Sequence, residues 1–336
     1  MVNYEQTYSN FRLEAPGRYN FGFDLVDRWA ADPKKEALVW ADDHGNEARY
    51  TFADIKAMSN KFANFMTALG VRKGDTVILM MHRIPDWHWA VVGLIKMGAI
   101  PIPCTVLLTP KDLKYRINAA EVKALVIGAD NAHKVEEVKE ECPTLQSAVL
   151  MGGECSGWHS YREGMEQASA DFSAEKTLST DPCMVYFTSG TTGSPKMVLH
   201  THASYPLAHI ITGKFWLDSR PSDLHWNLSD TGWAKAAYSS IFGPWNMGAA
   251  VFVHDSRGKY DPRQTLHLLE KYSISTLCAP PTAYRLLVQK DLSGRKFPAL
   301  RHCVSAGEPL NPEVIQDWAG KTGLTIYDGY GQTETV

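Results

Sequence analysis

Apolar residues along this chain form short runs that alternate with amphipathic segments of helical length. The run DTVILMM (75–81) predicts a buried strand, and PDWHWAVVGLIKMGA (85–99) predicts a helix with Pro85 in its first turn and Gly98 near its end. A second helix is predicted for TPKDLKYRINAAE, with Thr109 as N-cap and Pro110 at the first helical position. Three further segments predict strand, helix and strand: KALVIGA, HKVEEVKEEC and QSAVLMG. This alternation favours a mostly parallel sheet with helices on its faces.

A polar, irregular stretch interrupts the pattern over 156–181 and predicts a boundary between two lobes. We therefore predict one α/β subdomain over 1–175 and a second over 176–336, which together form one large domain. In the second half, strands are predicted for CMVYFT, MVLH, AAVFVH, STLCAP, LRHCVSA and LTIYD. Helices are predicted between them for PRQTLHLLEKY, PTAYRLLVQKD and NPEVIQDWAGK.

Composition and charge narrow the class of protein. The 336 residues are 44% hydrophobic and 21% charged, which is ordinary for a globular protein. The net charge of −3, from 34 basic and 37 acidic residues, gives no electrostatic case for nucleic acid or for an anionic membrane surface. No apolar stretch has the length of a membrane span.

The six cysteines form no CxxC pair, and Cys183, Cys278 and Cys303 lie in apolar runs. This distribution favours buried free thiols over a disulfide framework or a zinc site. The polar N-terminal sequence lacks the apolar core of a signal peptide. We therefore expect a cytoplasmic protein, with a processed organellar protein as the alternative.

The stretch TSGTTGSPK (188–196) has the composition of a phosphate-binding loop. It does not fit the P-loop pattern, because Pro195 stands where a glycine is required and Met197 where a hydroxyl should bind magnesium. Glycines at 190 and 193 nevertheless allow backbone N–H groups to converge on an anion, and Lys196 adds a positive charge. The apolar run that follows predicts that the loop joins two strands. A surface turn rich in Ser, Thr and Gly is the alternative.

At this point the chain resembles a known family. The segment YFTSGTTGSPKMVLHTH (186–202) is similar to the AMP-binding signature of the adenylate-forming superfamily, and SDTGWAK (229–235) to the segment that lines its acyl pocket. SAGEPL (305–310) resembles the adenine-contacting loop, and YDGYGQTET (327–335) the second nucleotide motif. The flanking sequence is most similar to AMP-forming medium-chain acyl-CoA synthetases. The resemblance implies two α/β subdomains with mostly parallel sheets plus a smaller β-rich part.

The resemblance also implies a reaction in two steps. A carboxylate attacks the α-phosphate of ATP to give an acyl-adenylate and diphosphate, and the thiol of coenzyme A then displaces AMP. Since two anions must approach each other in the first step, positioning and charge neutralisation are the main tasks of the site. The implied ligands are ATP, Mg²⁺, coenzyme A and a medium-chain fatty or aryl acid. A homodimer is among the assemblies that the sequence allows.

Roles transfer to this chain only where its residues match the family's motifs. Thr333 would bond the α-phosphate, Glu334 would hold Mg²⁺, and Lys196 would act with them in catalysis. Tyr330 would stack beside adenine. The β- and γ-phosphates would be held by Thr188, Ser189, Gly190, Thr191, Thr192, Gly193, Ser194, Pro195 and Lys196. The remaining nucleotide-binding residues would be Gly307, Glu308, Pro309, Asp328, Gly329, Gly331 and Gln332.

Several of these residues have a structural alternative. Gly232 would let an acyl chain or thiol pass close to the backbone, and Trp233 would wall the acyl channel or simply pack in the core. Tyr330 is a core aromatic in the alternative reading, and Glu334 a solvated carboxylate. His200 and His202 would share one face of a strand, and we expect them to support the loop, since no third metal ligand has suitable spacing.

The chain resembles only the N-terminal part of such enzymes, because the family's C-terminal domain would follow residue 336. From this resemblance we expect little turnover by this polypeptide alone. Two alternative functions stay open. One is an adenylation domain that passes its acyl group to a carrier protein, and the other is a non-catalytic module that binds nucleotide or acyl-AMP.

Overall fold

The computed structural model describes residues 3–174, 176–188 and 193–335 and shows an α/β fold. Two parallel-rich sheets and one hairpin carry the strands of these residues. The strands are β1 (Glu36–Asp42), β2 (Glu47–Thr51), β3 (Thr76–Met80), β4 (Ile100–Pro103), β5 (Ala124–Gly128), β6 (Ser147–Met151), β7 (His159–Ser160), β8 (Pro182–Thr188), β9 (Lys196–Thr201), β10 (Leu224–Asn227), β11 (Ala250–Asp255), β12 (Thr276–Ala279), β13 (His302–Ala306) and β14 (Ile326–Gly329).

Helices cover both faces of the two sheets. The α-helical segments are Tyr4–Asn10, Asp27–Trp29, Phe52–Ala68, Pro85–Met97, Pro110–Ala119, Ala132–Glu136, Tyr161–Gln167, His209–Ile211, Ala234–Ala237, Gly243–Asn246, Pro262–Lys271, Pro281–Val288 and Pro312–Thr322. π-Helical turns occur at Gly22–Val26, Ala203–Leu207, Thr212–Trp216 and Tyr238–Phe242, and 3₁₀ turns at Ala129–Asn131 and Lys139–Glu141.

Local capping explains why the predicted helices begin and end where they do. The Thr109 hydroxyl accepts a hydrogen bond from the Asp112 backbone N–H at 3.2 Å, and Pro110 occupies the first helical position, as predicted. Gly98 ends the preceding helix with a φ of +74°, a left-handed conformation that suits glycine. The alternation of strands and helices predicted from the sequence is confirmed in these segments.

The segment HKVEEVKEEC is not the single helix that its pattern predicts. The α-helix ends at Glu136, and a separate 3₁₀ turn covers Lys139–Glu141. A continuous helix would place Glu136 beside Glu140 and Glu137 beside Glu141, four residues apart on one face. Like charges at that spacing destabilise a helix, so the two Glu pairs disfavour a continuous helix here.

In the described residues, the smaller sheet has the strand order β4-β3-β5-β6-β7, and all its neighbouring strands are parallel. The chain runs from β3 to β4 on one side and then returns to β5 on the other side of β3. The order of the strands therefore reverses between β3 and β5. In open α/β sheets, ligands bind outside the carboxyl ends of the strands at such a switch point.

The larger sheet has the order β14-β13-β12-β10-β11-β1-β2 within the described residues, and its switch point lies between β10 and β12. Strand β1 is parallel to β11, with Leu38 opposite Val251, although about 200 residues separate them in sequence. Strands β1 and β2 thus join the sheet of the second half of the chain. The predicted division at 175/176 stays a prediction, and sheet membership does not follow it for these two strands.

Strands β8 and β9 form an antiparallel hairpin, with Thr188 opposite Lys196 at the end next to the connecting loop. The prediction that the Gly-rich loop joins two strands is therefore confirmed. Strand β9 ends at Thr201, and His202 already has helical φ and ψ angles of −58° and −34°. His200 and His202 consequently do not lie on one strand face, because the chain turns into the π-helical segment between them.

Two further expectations concern the state of the cysteines and membrane-spanning helices. Cys104, Cys142, Cys183, Cys278 and Cys303 are buried free thiols, and Cys155 is half-buried. The first expectation, buried free cysteines, is thus confirmed for five of the six. Over the described ranges, no helix is both long enough and apolar enough to cross a bilayer.

Candidate functional site

The motif segments singled out from the sequence gather at the carboxyl edge of the larger sheet. Ser229–Lys235 follows β10, and Gly307–Pro309 follows β13. Residues 330–335 follow β14, and the described part of this segment is largely exposed. Because these strands are parallel and flank the switch point, their following loops lie together at this edge, where α/β sheets normally have their ligand crevice.

The segment Ser229–Lys235 also touches the carboxyl edge of the smaller sheet. The Thr231 hydroxyl donates to the Met81 carbonyl just after β3, at 2.7 Å. A Cβ atom added to Gly232 would lie 2.1 Å from the Thr105 backbone nitrogen, just after β4. The Asp230 carboxylate holds this turn by accepting a hydrogen bond from the Gly232 N–H at 2.9 Å. The segment therefore bridges the carboxyl edges of both sheets, and the expected crevice lies between these edges.

Gly232 is thus required by a close approach of two backbones. Trp233, its neighbour, exposes 63% of its surface, so it is not the core packing residue of the alternative reading. It lies at the surface of the crevice, where a ligand could contact its ring. Its role as a channel wall stays a prediction.

Tyr330 is also exposed, at 87%, which excludes the reading of a core aromatic. Asp328, two residues before it, accepts a hydrogen bond from the Leu310 N–H at 3.1 Å and so ties β14 to the loop after β13. A Cβ atom on Gly329 would lie 2.6 Å from Nε1 of Trp216. Glycine is needed there because an aromatic side chain packs against the backbone.

The loop after β13 contains Gly307 with a φ of +113°, in the region that glycine favours. Glu308 is exposed and forms an ion pair with Arg285, and Pro309 is exposed beside it. The Lys235 ammonium donates to the Ala306 carbonyl at the start of this loop. The sequence motifs did not single out Lys235 or Arg285 as separate contributors to the site.

His200 connects the hairpin to the segment after β14. Its Nε2 lies 2.7 Å from the Thr333 carbonyl oxygen, and its ring packs on Tyr205 with centroids 4.4 Å apart. A carbonyl only accepts hydrogen bonds, so Nε2 carries the proton. Burial lowers the pKa of the His200 imidazole, while the Thr333 carbonyl and Glu334 partly oppose the effect. The imidazole is therefore neutral at pH 7.

This hydrogen bond places Thr333 and Glu334 beside the strand that begins at Lys196. Thr333 is half-buried, and Glu334 and Lys196 are exposed. The Tyr115 hydroxyl donates a hydrogen bond to the Pro195 carbonyl at 2.8 Å and so holds the end of the Gly-rich loop that precedes β9. Gly193 and Ser194 are exposed near it, whereas the predicted contacts at Ser189, Gly190, Thr191 and Thr192 lie outside the described residues.

The site has one acidic candidate for a cation at its nucleotide end. Across the described ranges, no three His, Cys, Asp or Glu side chains come together as metal ligands. A lone carboxylate at Glu334 fits Mg²⁺, which keeps several waters and is commonly held by one or two carboxylates with phosphate oxygens. Gly331 and Gln332 are exposed in the same turn, and Thr335 donates its backbone N–H to the Gln332 carbonyl at 3.1 Å.

Sequence relatives were found over almost the whole chain. It is 42% identical over 342 residues to acyl-coenzyme A synthetase ACSM3, mitochondrial, of Rattus norvegicus, covering 99% of this chain and 59% of the relative. It is 43% identical over 327 residues to acyl-coenzyme A synthetase ACSM4, mitochondrial, of Homo sapiens, covering 95% of this chain and 56% of the relative. The chain thus spans less than two thirds of the length of these curated relatives. The predicted cytoplasmic location stays a prediction.

Solved structures share the fold. An acyl-CoA synthetase of Brucella canis superposes with a TM-score of 0.91 at 26% identity, over 98% of this chain and 62% of the other. The anthranilate CoA ligase AuaEII, solved with anthranoyl-AMP, superposes with a TM-score of 0.87 at 27% identity, over 95% and 61%. The model of the family described as "AMP-binding enzyme" matches residues 25–336. The chain therefore belongs to the AMP-binding enzyme family.

Proposed function

We propose that this chain binds ATP and a carboxylic acid in the crevice between its two sheets, as part of an AMP-forming acyl-CoA synthetase. One observation carries the proposal. The hydrogen bond from His200 to the Thr333 carbonyl brings the strand that starts at Lys196 to the Thr333–Glu334 segment. A hydroxyl and a carboxylate thereby lie against the hairpin whose loop ends at Lys196, and a triphosphate with its cation needs such groups.

In the proposed first step, a carboxylate oxygen forms a bond to the α-phosphorus. The bond from that phosphorus to the bridging oxygen breaks, and diphosphate leaves with the electron pair. Thr333 would donate to the α-phosphate and Lys196 would neutralise charge on the outer phosphates. Glu334 would hold Mg²⁺, which supplies further charge neutralisation when bound. In the second step the thiol of coenzyme A would attack the acyl carbonyl and release AMP.

The acid would lie against Gly232 and Trp233. This surface joins the carboxyl edges of the two sheets, and its exposed indole suits an apolar or aryl group. The relatives are named acyl-coenzyme A synthetases, and the ligase AuaEII carries an aryl adenylate. We infer a medium-chain fatty acid or an aryl acid as the substrate class for this chain.

Acid-dependent exchange of diphosphate into ATP tests this function directly. The protein as its gene encodes it is assayed with hexanoate, benzoate and phenylalanine. We expect exchange with hexanoate or benzoate, and we expect Thr333→Val to lower the rate by about a hundredfold, as for other lost transition-state donors. Thr325→Val is the matched control, because Thr325 is exposed at the amino end of β14.

Exchange with phenylalanine alone would favour the carrier-protein adenylation domain instead. Tight AMP binding without exchange for any acid would favour the non-catalytic module. Equal rates for Thr333→Val and Thr325→Val would remove Thr333 from the site.

A further inference from the structure

Lys235 occupies a central position in the crevice that its motif did not reveal. Its side chain is half-buried at the start of the short helix Ala234–Ala237. Its ammonium donates to the Ala306 carbonyl, and a Cβ atom on Gly307 would lie 3.6 Å from its Nζ. The charge therefore lies where β13 ends and the loop predicted to border adenine begins.

Three carboxylates in the loops that surround this position have other partners. Asp230 accepts from the Gly232 N–H, Asp328 from the Leu310 N–H, and Glu308 pairs with Arg285. Among the described residues, Lys235 forms no ion pair, and a carbonyl oxygen does not neutralise its charge. Partial burial of an ammonium without a counter-ion is costly, so an anion at this point would be favourable.

The chemistry of the adjoining surface indicates which anion this is. Lys235 lies two residues after Trp233, in the segment whose Thr231 and Gly232 contact the smaller sheet. The groups suited to the outer phosphates, Lys196 and Glu334, belong instead to the hairpin and to the segment after β14, which His200 and Thr333 connect. A segment that offers both an ammonium and an exposed indole fits a carboxylate that carries an apolar or aryl group.

We propose that Lys235 binds the carboxylate of the acid substrate, an inference that rests on the proposed function. Its ammonium pairs with one carboxylate oxygen while the other attacks the α-phosphorus. By reducing the repulsion between the carboxylate and the phosphate, it lets the two anions approach. Lys235 is thereby a catalytic residue in the first step, since it touches a reacting group.

The test compares Lys235→Met, Lys235→Arg and the control Lys321→Met in the protein as its gene encodes it. Lys321 also donates to a backbone carbonyl, that of Val288, but it lies at the end of helix Pro312–Thr322, which leads to the amino edge of the larger sheet. The KM values for hexanoate and for ATP are measured by diphosphate exchange. Inhibition of hexanoate-dependent exchange by hexanamide, which has no charge, is measured in parallel.

We expect Lys235→Met to raise the KM for hexanoate about tenfold or more, the effect of one lost charge-assisted hydrogen bond, while the KM for ATP changes less than about twofold. Inhibition by hexanamide should be unchanged, because the amide makes no ion pair. Lys235→Arg should retain part of the affinity for hexanoate, and Lys321→Met should behave as the unmodified protein.

Two results would overturn the inference while leaving the proposed function intact. One is a raised KM for ATP with an unchanged KM for hexanoate, which would make Lys235 only a support for the Ala306 loop. The other is an equal loss of hexanoate and hexanamide affinity, which would show an altered pocket shape. A lack of acid-dependent exchange in the unmodified protein would overturn the proposed function, and this inference with it.

Discussion

Two lysines in this molecule illustrate how a closed polar cluster, in which a charge has its counter-ion within the protein, differs from an open one, in which it has none. Lys96 has no exposed surface, and its ammonium donates to Asp27 and to Asn60, each at 2.7 Å. Lys235 is half-buried and donates to a single backbone carbonyl. The first cluster has its counter-ion within the chain, whereas the second has none among the described residues.

The closed cluster is complete in itself. The Phe23 ring centroid lies 5.5 Å from the Lys96 ammonium, and Gly22 has no side chain because a Cβ atom there would lie 2.3 Å from Lys96 Cγ. Burial lowers the pKa of Lys96, and Asp27 opposes that effect. A cluster with every partner in place fixes the packing of a fold, whereas a charge without a partner is suited to a ligand.

The largest expected effect comes from removing the cation of the closed cluster. Lys96→Met leaves the Asn60 amide without its partner and the Asp27 carboxylate with only Lys56, 3.9 Å away, and should lower the free energy of unfolding by about 3 kcal/mol. Lys235→Met should change it by less than about 1 kcal/mol, because no carboxylate is left unpaired. Urea denaturation followed by circular dichroism measures both. Equal losses for the two variants would break the comparison.

The next largest effect is expected at two glycines, Gly22 beside Lys96 in the closed cluster and Gly232 in the segment that carries Lys235. Gly22→Ala and Gly232→Ala each force a Cβ atom into occupied space, and each should cost about 1–3 kcal/mol of unfolding free energy. Only Gly232→Ala should also raise the KM for the acid, because it displaces Trp233 and the backbone at Thr105. Thermal unfolding and the exchange assay separate stability from binding. A raised KM for the acid in Gly22→Ala would show that the closed cluster also shapes the site.

The sequence was most informative where structure is set locally. Thr109 begins its helix and Gly98 ends the preceding one, as predicted, because helix capping and a left-handed backbone conformation depend on neighbouring residues. The parallel pairing of β1 with β11 could not be predicted, since pairing between strands that are so far apart in sequence leaves no local pattern.

The candidate site shows the same limit. The motifs located the loops after β10, β13 and β14, but not the contacts that join them. Lys235 gave no periodic signal, and its lack of a counter-ion is visible only when Asp230, Glu308 and Asp328 are seen with their partners. For His200, a signal did exist, because it lies four residues after Lys196 on the same strand and shares its face.

His202 extends the comparison to the end of the hairpin and gives a pH dependence. It is fully buried, and burial lowers its pKa from 6.5 to about 4, with Asp181 opposing and Lys73 adding to the effect. Between these two values the unfolded chain binds a proton that the folded chain does not. The free energy of unfolding should therefore fall as the pH is lowered from 6.5, by up to about 1.4 kcal/mol per pH unit from this residue.

His202→Asn should reduce that slope between pH 6 and pH 4.5, whatever its effect on stability at pH 7. Urea denaturation at several pH values measures the slope. Other buried histidines, such as His88 and His225, also have pKa values lowered by burial, so part of the slope should remain. An unchanged slope would mean that His202 is protonated in the folded protein.

The smallest expected effect is at His200, which belongs to the open region although it is itself buried. His200→Phe keeps a ring against Tyr205 but removes the donor to the Thr333 carbonyl. Loss of about 1 kcal/mol of hydrogen-bond energy should weaken AMP binding about fivefold, with faster amide exchange over 330–335. His200→Gln, which can donate from its amide, should restore part of both. If His200→Phe instead lowered stability and left the AMP affinity and the amide exchange unchanged, the imidazole would only stabilise the fold. The hairpin would then not influence nucleotide binding by residues 330–335.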